Sequence, residues 1–81
     1  MKDDVKSVKA LPEFGLHVEL VDGRIGVFDM RAHLNHPGLV ALKNPAYFAQ
    51  VHVLLGAPTW PDGEDVAPST VASELQITMP A

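Results

Sequence analysis

The dipeptide Asp22-Gly23 constrains this chain more than any other feature, because alternating apolar residues run into it from both sides. Before it, Phe14, Leu16, Val18 and Leu20 alternate with Gly15, His17 and Glu19; after it, Arg24 to Asp29 form a second run. Period-two alternation marks a strand with one buried face. Asp-Gly between two such runs is the strongest short-range hairpin signal, since a type I′ turn needs positive φ at both central residues. A two-residue turn sets Val21 opposite Arg24, Leu20 opposite Ile25, Glu19 opposite Gly26, Val18 opposite Val27 and His17 opposite Phe28. One face then gathers Leu16, Val18, Leu20, Ile25 and Val27. The other receives His17, Glu19, Val21, Arg24 and Phe28, and Phe28 there calls for a cover at one end.

The flanking segments supply the rest of a small sheet. Val5 to Leu11 reads as a first strand whose imperfect alternation and lysines suit an edge position. Pro12-Glu13 turns the chain into the hairpin. Asp29 to Leu34 reads as one helical turn capped by Asp29, broken by Asn35-His36-Pro37-Gly38 ahead of the apolar run Leu39 to Leu42. Asn44-Pro45 opens a short helix, Asn at the cap and Pro at the first helical position, with Tyr47, Phe48 and Val51 as its buried stripe. Val51 to Leu55 reads as a strand, halted at Gly56-Ala57-Pro58 and resumed at Thr59-Trp60. Pro61-Asp62-Gly63 is a turn, with positive φ expected at Gly63. Asp65 to Leu75 is the third helix, entered through Pro68 with Val71 and Leu75 on one side. Ala67 is a poor cap. Gln76 to Ala81 is a tail to which Ile77 and Met79 add a strand. The expected fold is α+β: a small antiparallel β-meander around the Asp22-Gly23 hairpin, with two or three short helices.

An 81-residue chain without cysteine has room for one domain, residues 1–81, and holds it without disulfides or thiolate-bound metal. A chain this short hides only about 60% of its unfolded surface, so a second copy or a partner is an expected source of stability. The formal net charge is −4, unevenly placed. All six cations precede residue 44; residues 44–81 hold Asp62, Glu64, Asp65 and Glu74 and no Lys or Arg. A phosphate backbone needs a cationic track, so direct nucleic-acid binding is not expected. A basic protein partner suits the acidic half, as does a merely solubilising role. Met1-Lys2-Asp3-Asp4 is charged with no apolar run behind it, and Val53 to Pro58 is too short to span a bilayer, so the expected location is the cytoplasm.

The residue types that carry chemistry fall short of a catalytic pattern. His33 and His36 would share a face on a helix, but Pro37-Gly38 follows and spacing places no third ligand. Counted from Asp62, a calcium loop needs Glu at its twelfth residue, where Ser73 stands. Ser7, Ser69 and Ser73 have no nucleophile elbow, and the glycines are scattered. No cofactor is expected. Trp60, the single tryptophan, fits either the core's largest side chain or an interface anchor.

Asp4 to Leu11, Asp22-Gly23, Phe28-Asp29-Met30, Leu42-Lys43-Asn44-Pro45 with Phe48, and Trp60-Pro61-Asp62-Gly63 followed by Asp65 and Pro68 together resemble the bacterial family called domain of unknown function 2442. The likeness spans residues 3–75, leaving 76–81 as the tail. It differs at Ala67, where members often carry Ser or Asp, and at Ala57-Pro58, which interrupts a strand usually continuous into the tryptophan. The resemblance implies a β-meander with short helices, a homodimer and no established catalysis. Members are often encoded beside another small protein and suspected of forming antitoxin-like pairs, and some are fused to helix-turn-helix domains. The expected function is therefore that of a non-enzymatic interaction module. Its candidate contact surface is Trp60, Pro61, Asp62, Gly63, Glu64 and Asp65, supported by Asp22, Gly23, Phe28, Asn44, Pro45, Phe48 and Pro68. A small-ligand-binding or weakly catalytic domain using the same region is the alternative, followed by a regulatory domain related to the helix-turn-helix fusions.

Overall fold

The computed structural model describes residues 3–81, so Met1 and Lys2 of the charged start lie outside the described residues. Strands β1 (Val5–Leu11), β2 (Gly15–Leu20), β3 (Ile25–Asp29) and β6 (Gln76–Met79) form one antiparallel sheet in the order β1-β2-β3-β6. A two-stranded hairpin, β4 (His52–Leu54) and β5 (Ala57–Thr59), stands beside it. The helices are short: α1 (Pro45–Phe48), α2 (Pro68–Glu74) and 3-10 turns at Pro12–Phe14 and Pro37–Lys43. This is an α+β fold built on a β-meander.

The central hairpin is paired one residue out of the expected register. Leu16 faces Phe28, His17 faces Val27, Val18 faces Gly26 and Glu19 faces Ile25. Leu20 N–H donates to the Arg24 carbonyl at 2.8 Å, which leaves Val21, Asp22 and Gly23 as a three-residue loop. Gly23 has a φ of +98° and Asp22 is not in the left-handed region, so a type I′ turn is excluded. The Asp22 carboxylate instead accepts from the Arg24 N–H at 3.1 Å and from Arg24 Nε at 2.8 Å, closing the loop from outside. The slip exchanges the faces of β3. Phe28 joins Leu16, Val18 and Leu20 in the core, all fully buried, and Ile25 and Val27 turn to the other side, half-buried.

What lies above the sheet explains the choice. The chain leaving α2 crosses over Gly26, where a Cβ would stand 2.4 Å from the Gln76 carbonyl oxygen. Only glycine permits that approach, so Gly26 must face the covered side, and Phe28 two residues on follows it inward.

The irregular β1 pattern has a similar local cause. Val5 faces Leu20 and Val8 faces Val18, with a bulge between Val5 and Ser7. The extra residue brings two valines three apart onto one face. Pro12–Phe14 then turns with Glu13 at φ 62° and Phe14 at φ 63°, so β2 begins at Gly15 rather than at Phe14.

Elsewhere several bounds move. Asp29 ends β3, and Arg31 to Leu34 is a series of turns instead of a helical turn, although the Asp29 carboxylate does accept from the Arg31 N–H at 2.9 Å. The break expected at Asn35 to Gly38 passes straight into the 3-10 turn, with His36 Nδ1 accepting from the Gly38 N–H at 3.1 Å. Asn44 caps α1, its Oδ1 accepting from the Ala46 N–H at 3.0 Å. Helix α2 starts at Pro68, not at Asp65, because residues 65 and 66 are held extended: Asp65 bridges Thr59, and Val66 N–H donates to the Pro58 carbonyl at 3.1 Å. Ala67 offers no side-chain cap to α2. The strand does halt, at Leu54, and resumes beyond a turn, but the turn is Leu55-Gly56 and Ala57-Pro58 already belongs to the returning strand β5 with Thr59; Gln76 to Met79 is the fourth strand of the main sheet.

Candidate functional site

Trp60 organises the segment that follows it, and it does so from inside. Its side chain is 1% exposed; the indole Nε1–H donates to the Phe48 carbonyl at 2.9 Å, and its ring centroid lies 5.7 Å from that of Phe48. Phe48 in turn meets Phe14 edge-on at 5.2 Å. Each aromatic thus packs against the next, and the one polar atom of the indole is satisfied. Trp60 is therefore the core's largest buried side chain, one of the two readings the sequence offered; its place in the candidate contact surface is corrected, since almost none of it is exposed. The surface members are Pro61, Asp62, Gly63 and Asp65, exposed, with Glu64 half-buried.

The turn above the indole is tied at both ends. Gly63 N–H donates to the Trp60 carbonyl at 2.9 Å, and Trp60 N–H to the Glu64 carbonyl at 2.8 Å. Gly63 sits at φ +101° with open space around it, the left-handed position the sequence assigns to it. Tyr47 supplies a second tie that sequence reasoning missed. Its hydroxyl donates to Glu64 Oε1 at 2.6 Å and accepts from the Asp62 N–H at 2.8 Å. Burial, and then the bond to the Glu64 carboxylate, hold the Tyr47 hydroxyl above its ordinary pKa. The sequence placed Tyr47 in the stripe of α1, where a phenylalanine would pack as well; nothing in periodicity signals that the hydroxyl is needed.

Opposite this turn stand the two histidines. His33 stacks on Phe28, centroids 5.4 Å apart, and its Nε2 is 2.8 Å from Glu74 Oε1 of α2. His36 is occupied at Nδ1 by the Gly38 N–H. Neither lies on a regular helix, and among the described residues no group of three or more His, Asp or Glu side chains could hold a metal ion. Between the walls runs a cleft of about 410 Å³, with His33, His36, Gly38 and Leu39 on one side and Gly63 to Ala67 with Thr70 on the other. No Lys or Arg lines it. The structure thus joins the acidic turn to the histidine pair, a juxtaposition of residues some thirty apart that sequence spacing does not show.

The supporting residues fall elsewhere. Asp22 and Gly23 form the hairpin loop, Phe28 and Phe48 lie in the core, Asn44 and Pro45 start α1, and Pro68 starts α2.

The model of the family described as "Protein of unknown function (DUF2442)" matches residues 5–75. The chain belongs to the DUF2442 family. The match runs from the first residue of β1 to Leu75, just after α2, so the DUF2442 region includes both walls of the cleft and stops one residue short of β6. No curated protein and no solved structure matches the chain. Among the described residues, no helix is long and apolar enough to cross a membrane.

Proposed function

We propose that this DUF2442 chain is a non-enzymatic, cytoplasmic interaction module that binds a cationic segment of a small partner protein, in an accessory or antitoxin-like role. The observation that carries the reading is a cleft beside Glu64 and Asp65 whose lining holds no Lys or Arg. Its acidic wall is fixed before any partner arrives, because Trp60 anchors the turn from below and Tyr47 ties it from the side. A preorganised wall avoids the cost of ordering a loop on binding. The polar groups are also committed to the fold: Glu64 to Tyr47, His33 to Glu74 and His36 to Gly38.

Two measurements test this. The product of the adjacent gene should co-purify with the chain; recovery of the chain alone counts against the pairing. A labelled Lys/Arg-rich peptide should bind at low salt, weaken as salt rises, and weaken at least about threefold on Asp65→Asn. Binding that ignores both salt and Asp65 removes the cleft from the account.

A second reading rests on the same cleft. A volume of about 410 Å³ with His33, His36, Glu64, Asp65 and Thr70 converging on it lies within the range of small-ligand sites. Thermal shifts with small amines decide for it if they saturate and vanish on Asp65→Asn while the basic peptide leaves the protein unaffected.

A further inference from the structure

The two histidines of the cleft differ in what would answer a charge on them. His33 Nε2 lies 2.8 Å from Glu74 Oε1, and the Asp29 carboxylate feels the same ring, so a proton taken up there is neutralised within the fold. His36 is exposed, and its ring meets the Gly38 N–H instead of a carboxylate. Its Nδ1 accepts that bond at 3.1 Å, so the neutral ring carries its hydrogen on Nε2. A second proton would make Nδ1 a donor facing a donor. The bond lost is the one that opens the 3-10 turn Pro37–Lys43, which supplies Gly38 and Leu39 to the cleft.

The carboxylates that face His36 stand on the opposite wall, Glu64 and Asp65. The cation on its own turn, Lys43, lies at the far end and outside the lining. We propose that His36 gates the cleft by pH, releasing the cationic segment when its ring takes up a proton. The gate rests on the reading of the cleft given above and adds its regulation. Both consequences of protonation have one sign. The new charge repels the segment and competes with it for Glu64 and Asp65, while the lost Gly38 bond loosens the wall. Linkage makes the effect reciprocal: a bound cation drives the proton off His36 by the same factor.

Titration of the full chain with the labelled Lys/Arg-rich peptide at about pH 8 and about pH 5.5, at constant salt, tests the gate. The dissociation constant should rise at least about fivefold on acidification. Asparagine accepts at a cap and does not titrate, so His36→Asn keeps the Gly38 bond and should bind equally at both pH values. His17→Asn and His52→Asn, exposed and outside the cleft, should retain the full dependence. Nitrogen NMR of the natural chain should show neutral His36 protonated at Nε2, and the peptide should shift the ring toward that form at about pH 6. Binding at pH 8 that ignores acidification, or a dependence that survives His36→Asn, overturns the gate and leaves the cleft reading standing. A neutral ring protonated at Nδ1 does the same. Peptide binding absent at both pH values overturns the cleft reading and the gate together. Should His36→Asn fail to fold, the ring resonances of the natural chain decide alone.

Discussion

Asp29 shows how a residue two positions away sets a charge. Arg31 donates to its carboxylate through Nε and Nη2, at 3.0 and 2.8 Å, and through its backbone N–H at 2.9 Å. The side-chain bond is the largest cause and the backbone bond the next, and together they lower the Asp29 pKa to about 2. A depressed carboxylate contributes stability above the ordinary carboxylate range and loses it as pH falls through the folded value, here about 2. Because this pair is largely in solvent, the contribution to folding is small. Arg31→Gln should raise the Asp29 midpoint toward the ordinary range, read from its carboxyl carbon by NMR. Tyr47 responds in the opposite sense. Its pKa is raised, by burial first and by the Glu64 bond second. Glu64→Gln should therefore bring the phenol's midpoint down without restoring its ordinary value. Tyr47 is the chain's single tyrosine, so the change in ultraviolet absorbance on phenol ionisation belongs to it alone.

At the level of elements, a turn and a strand carry opposite errors of fit. The β4–β5 hairpin closes through Leu55 and Gly56, at φ 53° and 78°, the two left-handed positions of a two-residue turn. Leucine is strained there, and at 93% exposure it gains no packing in return. Leu55→Asn should stabilise the fold by about 1 kcal/mol, seen as a higher denaturant midpoint with an unchanged slope. Gly26 is the reverse case. It has an ordinary strand conformation but no space, because the Gln76 carbonyl and the Leu75 side chain lie where a Cβ would go. Gly26→Ala should destabilise by about 1–3 kcal/mol in the same experiment, as an overpacked site does. The β2–β3 loop behaves like neither: Asp22 and Arg24 hold it from outside, and Gly23 takes the single left-handed position.

Across the whole molecule the apolar residues form one cluster. It runs from Val5, Leu16 and Phe28 on the sheet, through Phe48 and Trp60, to Val66, Val71 and Leu75. Trp60 belongs to that cluster and is bonded to the carbonyl of Phe48, so its environment changes when the cluster opens. Denaturant unfolding followed by Trp60 fluorescence should coincide with loss of far-ultraviolet circular dichroism in one transition. Separate midpoints would mean that the Trp60 layer and the sheet come apart independently.

Local chemistry made much of this legible in the sequence. A chain reversal at Asp22-Gly23, a cap at Asn44 with Pro45 behind it, a left-handed glycine at Gly63 and a poor cap at Ala67 each depend on a few neighbouring atoms, and each appears in the structure. The DUF2442 likeness was legible too, since it resides in residue order. The hairpin register was not. It depends on Gln76 passing over Gly26, fifty residues away in the chain, and a turn signal alone cannot weigh that contact. Nor were the clamp from Tyr47 or the meeting of His33 with Glu74. Backbone conformation answers to neighbours in sequence. Which face is buried, and which polar groups meet, answers to what the folded chain brings alongside.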